Sequence, residues 1–137
     1  MTGPDVHDLD AVFAVLRADL SVDTVAVTPT LYTELDQRYA GFKGHTLVAI
    51  HEFTRPWGSW EMHPAGDEIV VLLSGQARFR VRTGGGEEQL ALSTPGQYLV
   101  VPRGCWHTAE TTVATRLLFI TPGEGTRHDH EPGTSAE

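Results

Sequence analysis

The sequence predicts an all-β domain, a sandwich or barrel of short strands with one amphipathic helix in front. Three observations lead there. From Gly44 to Thr121 the chain runs in short segments rich in β-branched and aromatic residues, cut by Gly and Pro turns. Its 137 residues, 40% of them apolar, with 14 Gly and 8 Pro, suit one globular domain with a real core. The single cysteine, Cys105, can neither close an intrachain disulfide nor supply a multi-thiolate zinc site, so stapled and zinc-finger folds drop out.

Val6, Leu9, Phe13, Leu16 and Leu20 recur at steps of three and four, so residues 5–20 read as an amphipathic helix. Pro4 and Asp5 fit its start, and Asp8 puts negative charge in its first turn. Residues 24–43 mix strand-like and helix-like pieces and give no single reading. Strands are expected near 46–53, 59–63, 68–74, 76–82, 87–92, 97–101, 106–112 and 114–121. Ile69-Val70-Val71-Leu72-Leu73 is apolar on both faces and reads as a central strand. Arg78, Arg80 and Arg82 alternate with Phe79 and Val81, giving a solvated face opposite a core face. Gly84-Gly85-Gly86 reads as a hairpin turn, and with no helix behind it a phosphate-cradling loop is not expected. From Pro122 the composition suggests a frayed tail. The expected organisation is a helix and covering segment over 1–45, the β-domain over 46–121 and a flexible tail over 122–137.

The net charge of -8 is uneven: five acids face Arg17 in residues 1–23 and four face Arg127 in 122–137, leaving nine acids and eight bases between. No basic stripe exists to neutralise phosphates, so nucleic acid and anionic lipid are poor partners and a small molecule is the expected one. No apolar run approaches the roughly 18 residues of a spanning helix, and the N-terminus lacks the pattern of a secretory signal, which points to a cytoplasmic protein.

Two clusters carry metal-ligand chemistry. In a strand, residues two apart share a face, so Glu61 and His63 point one way while Trp60 and Met62 point the other. The turn-like Pro64-Ala65-Gly66-Asp67 lets the chain double back and bring Glu68 beside His63. More than forty positions on, His107 lies on another predicted strand.

The segment around the second cluster, Gly96 through Pro102 and Gly104 to His107, resembles the second signature of the cupin superfamily. The segment Glu61 to Gly75 is similar to the first, with His63, Glu68 and Gly75 at the matching positions. Three positions depart: Glu61 stands where the family usually has the first histidine of a His-x-His pair, Thr111 where the second signature closes on asparagine, and Arg55 where a glycine is usual. The resemblance covers residues 61–111, or about 46–121 with the flanking strands. It implies an antiparallel jelly-roll β-barrel, often a homodimer, holding one divalent metal on His63, Glu68 and His107. Two imidazoles and a carboxylate suit Fe(II) with open positions, and also accept Mn, Co, Ni or Zn. Glu61 is either a fourth ligand, offsetting the ion's charge, or a general base beside a metal-bound substrate. The ordinary alternative makes it a hydrogen-bonded buried carboxylate at a decayed site.

Other residues have plain roles first. Cys105 reads as a small buried hydrophobe, with access to the cavity as the alternative. Trp57, Trp60 and Trp106 suit either packing or an aromatic wall. Only one of His51 and Glu52 is expected to face the interior. Phe53, Phe79, Leu99 and Phe119 read as core that could line a pocket, and His128-Asp129-His130 as solvated tail. These features support a metal-dependent enzyme acting on a small organic substrate by dioxygenase-type chemistry. The same shell allows a lyase, isomerase or cyclase, or a non-catalytic ligand-binding or sensing protein. A purely structural dimer ranks last, since packing alone does not call for three spaced ligand-type residues.

Overall fold

A computed structural model describes residues 4–130 of the chain. Among these residues it contains eleven strands and one helix, and no helix is long and apolar enough to cross a membrane. The first segment corrects the expected N-terminal helix. Residues Val12–Leu16 form β1, which turns through Leu20 into β2 (Val22–Ala26) as an antiparallel hairpin. The three-and-four spacing was real but not the one burial follows: Phe13 and Val15 are buried two apart, while Val6 and Leu20 face solvent. Asp19 accepts hydrogen bonds from the backbone and hydroxyl of Ser21, which fixes a turn where a helix would have to continue. The helix occurs later, as α1 (Leu31–Arg38), in the stretch the sequence left open, with Leu31 and Leu35 buried one turn apart.

The later strands follow the expected segmentation: β3 (Thr46–Phe53), β4 (Trp60–Met62), β5 (Glu68–Ser74), β6 (Ala77–Thr83), β7 (Gly86–Leu92), β8 (Tyr98–Val101), β9 (His107–Glu110) and β10 (Thr115–Pro122). The expected tail holds one more, β11 (Arg127–Asp129), paired antiparallel with β4, so 127–129 are not frayed, while 131–137 lie outside the described residues. All ladders are antiparallel. One sheet has the order β2-β1-β3-β10-β5-β8 and the other β11-β4-β9-β6-β7. Neither ladder returns to its first strand, so the expected barrel is realised as two open sheets joined through side chains.

The core between them draws Val70, Leu72, Leu117 and Phe119 from the first sheet and Phe79, Val81 and Ala109 from the second. Glu68, Val70 and Leu72 are the inward set of β5, so the period that buries two apolar side chains also buries a carboxylate. A second cluster packs Phe13, Val15, Leu31, Leu35 and Phe42 against β3, fixing α1 over one end of the sandwich. Gly75 joins β5 to β6 at φ +82, and a Cβ there would lie 2.4 Å from the Ala114 carbonyl oxygen and 2.6 Å from Thr115 Oγ1. Thr111, in place of the usual asparagine, donates to the Gln76 carbonyl at 2.6 Å and meets Thr115 Oγ1 at 3.0 Å, tying down the same corner.

Candidate metal centre

Strands β4 and β9 of the second sheet, the residue that follows β4, and β5 of the first sheet bring four donor side chains together. Glu61 of β4 sits opposite His107 of β9 in the ladder, and His63 follows β4 directly. Glu68 enters from β5, after the turn that begins at Pro64. Glu68 Oε2 lies 3.3 Å from His63 Nε2, and Glu68 Oε1 lies 3.1 Å from His107 Nε2. Glu61 Oε1 is 3.8 Å from His63 Nε2, and donor atoms of Glu61, His63 and His107 fall within 4.8 Å of one another. His63, Glu68 and His107 are buried, whereas the Glu61 side chain is 30% exposed.

The hydrogen-bond network assigns the tautomers. Thr126 Oγ1 donates to the Gly123 carbonyl, so at 2.8 Å it accepts from His63 Nδ1. His107 Nδ1 is 3.2 Å from the Cys105 carbonyl, which can only accept. Both rings therefore carry their proton on Nδ1 and turn an Nε2 lone pair toward Glu68. Acceptors cannot satisfy each other, and His63 Nε2, Glu68 Oε1 and His107 Nε2 are buried without hydrogen-bond partners. A cation satisfies all three, so the donor set fits a divalent metal. Without one, a proton relieves the same contact. Burial works to lower His107, but the Glu68 carboxylate outweighs it and the ring is raised above its ordinary value. In that proton-sharing state burial likewise works to raise Glu68, and the hydrogen bonds and positive charge supplied by His107 and His63 hold it well below the usual carboxylate range. Thr121 Oγ1 donates to the free side of Glu68 Oε2 at 2.6 Å.

Glu61, His63 and Glu68 border a cavity of about 710 Å³, within the range of small-molecule sites, with His107 buried behind them. Phe53, Trp57 and Phe119 form its apolar wall, with Trp57 at 5.9 Å from Phe53 and 6.0 Å from Phe119 between ring centres. Phe79 and Leu99 stay in the core. His51 and Glu52 both border the cavity although they alternate along β3. Trp60 and Trp106 are no part of this wall. They cluster with Met62, and Arg80 and Arg82 lie over Trp60 at 5.0 and 4.4 Å, so those arginines cap a tryptophan instead of forming a freely solvated face. Cys105 packs against the core, and its thiol is raised by burial and by Asp67. His128, expected in a solvated tail, places Nε2 3.1 Å from Glu61 Oε2, because β11 aligns it with Glu61 in the ladder.

Sequence reasoning missed Tyr32, Thr121 and Thr126, and it noted the ligand chemistry of His128 but assigned that residue to a solvated tail. No local spacing marks them. They reach the site through the helix and the two segments that close the chain, none of which matched a motif.

No family model matches the chain. Acireductone dioxygenase of Rhodopseudomonas palustris (strain TIE-1) is 30% identical over 86 residues, covering 58% of this chain and 51% of that protein. The same enzyme of strain ATCC BAA-98 / CGA009 gives the same figures. The chain thus spans about half the length of the curated relatives it matches. Among solved structures, oxalate oxidase superposes with a TM-score of 0.50 at 18% identity, covering 59% of this chain and 44% of that one. A variant of Bacillus subtilis oxalate decarboxylase gives 0.50 at 19% identity, covering 61% and 23%. At these identities the likeness is one of fold.

Proposed function

We propose that this chain, a cupin by fold, holds a divalent metal ion on His63, Glu68 and His107 and transforms a small organic molecule by dioxygenase-type chemistry. The observation that carries the reading is the convergence of three buried acceptor atoms with no partner among themselves. A bound iron(II) ion with open positions would supply the redox step between dioxygen and substrate that no side chain can perform. The partial likeness to acireductone dioxygenase supports the reaction class.

The chain's own residues do the rest. Thr126 and the Cys105 carbonyl keep both imidazoles turned with Nε2 inward, and Thr121 fixes the Glu68 carboxylate. Phe53, Trp57 and Phe119 exclude water and seat the apolar part of the substrate. Glu61 stands at the wet edge of the site as a fourth donor or as the group that takes a substrate proton, with His128 on its outer oxygen. That edge placement also favours a second reading, a lyase, isomerase or cyclase in which Glu61 moves the proton and no oxygen is consumed.

The test is metal analysis of tag-free protein, followed by oxygen uptake of the iron-loaded form over a panel of small substrates. Stoichiometric metal with substrate-dependent uptake is expected. Turnover without uptake moves the reaction to the second reading, and protein that retains no metal overturns the proposal.

A further inference from the structure

The walls of the cavity carry a charge pattern that selects among substrates. Asp36, Glu52, Glu61 and Glu68 border it, and no Lys or Arg is among the described residues that line it. The guanidinium of Arg116 reaches within 3.9 Å of Glu52 from outside, but both oxygens of Asp10 hold it at 2.6 and 2.7 Å. One divalent ion against four carboxylates leaves an excess of two negative charges around the space a ligand would fill. The charge on buried Glu68 and half-buried Glu61 repels anions more than it would in bulk water, and exposed Asp36 and Glu52 add a weaker, salt-screened contribution.

Toward the mouth stands one further polar feature. Tyr32, from α1, and His51, from β3, meet through Tyr32 Oη and His51 Nε2 at 2.9 Å, and both line the cavity. Tyr32 and His51 keep an exposed side, but the His51 ring packs on Phe13 and Phe119, and burial of that face outweighs the pull of Glu61 and disfavours a charged imidazole. The couple is therefore a neutral hydrogen-bonding group on an aromatic wall. It can pair with a hydroxyl, an amide or an amine, and it brings no cation to hold a carboxylate.

We propose that the cavity selects a compact, apolar-bodied ligand that is neutral or positively charged, its polar end paired with Tyr32 and His51, and that the acidic lining rejects carboxylates and phosphates of the same shape. This deepens the reading of the cavity as a substrate site and rests on it.

The test uses benzoate, benzamide and benzamidine, three ligands of one shape carrying negative, zero and positive charge, titrated calorimetrically into the full chain with and without zinc. Zinc content is measured on the same samples. Benzamide and benzamidine are expected to bind at least about tenfold more tightly than benzoate in both forms. Asp36→Asn with Glu52→Gln narrows that gap, and Tyr32→Phe weakens benzamide while leaving zinc content unchanged. Benzoate binding as tightly as benzamide overturns the proposal, as does a gap indifferent to the double variant, a benzamide affinity indifferent to Tyr32→Phe, or no binding by any of the three. Retained zinc with benzoate preferred sinks the charge selection and leaves the metal centre standing. Absent zinc with the charge order intact does the reverse.

Discussion

Thr126→Val tests the assignment of the His63 proton, on which the proposed metal centre depends. The valine keeps the shape of the threonine and removes the acceptor now 2.8 Å from His63 Nδ1. His63 is 5% exposed, so its N–H has little water to turn to. An orphaned buried donor costs about 1–3 kcal/mol. The ring can escape that cost by moving its proton to Nε2, where a metal must displace it, or by turning away. Loss of such an outer partner typically weakens metal affinity by about 10–100-fold, or roughly 1.4–2.7 kcal/mol. The assay is zinc competition against a chromophoric chelator, with thermal unfolding of the metal-free protein beside it. Thr126→Ser restores the hydroxyl and is expected to recover most of the affinity. A folded Thr126→Val protein that holds zinc as tightly as the parent refutes the tautomer argument.

His63→Ala and His107→Ala should each abolish metal retention in a chain that still folds, while Arg80→Ala, which touches Glu87 and the Trp60 ring outside the cavity, should retain metal; mass-spectrometric metal content decides. Chelator-treated protein should show a stability maximum in urea between two titrations. Glu68 is depressed in the fold, so its contribution is complete above 4.5 and is lost as pH falls toward about 2. His107 is raised, so its contribution is complete below 6.5 and is lost as pH climbs through its folded-state value. A urea midpoint that rises on acidification below 4.5 contradicts the pairing. Gly75→Ala, which combines a left-handed backbone with a Cβ 2.4 Å from a carbonyl oxygen, should destabilise by more than about 3 kcal/mol in denaturant titration.

Strands β3, β5 and β6 were legible because each carries β-branched or aromatic residues between Gly and Pro turns, and burial follows the two-residue period those runs impose. The donor residues were legible for a related reason: Glu61 and His63 share a face, a short turn returns Glu68, and His107 falls on an inward strand position. The first hairpin was not. Five apolar residues fitted a helical face, and nothing local reveals that β3 offers a free edge on which β1 gains a ladder. Tyr32, Thr126 and His128 were hidden for the same reason, since their roles exist only once distant segments close over the donors.

The donor set draws on both layers of the sandwich. Glu68 hangs from a strand of the six-stranded sheet, whereas His107 belongs to the five-stranded one and His63 directly follows its strand β4. An ion seated among them would act as a rivet between two plates whose other described ties are packed side chains and the hydrogen-bonded Thr111–Thr115 corner. It would also brace β4 and β9, which share a single paired position, Glu61 with His107. Loading should therefore slow amide exchange in β4, β5 and β9 and leave the distant β1–β2 hairpin breathing as before. Capturing the ion and stiffening that end of the molecule would then be one event.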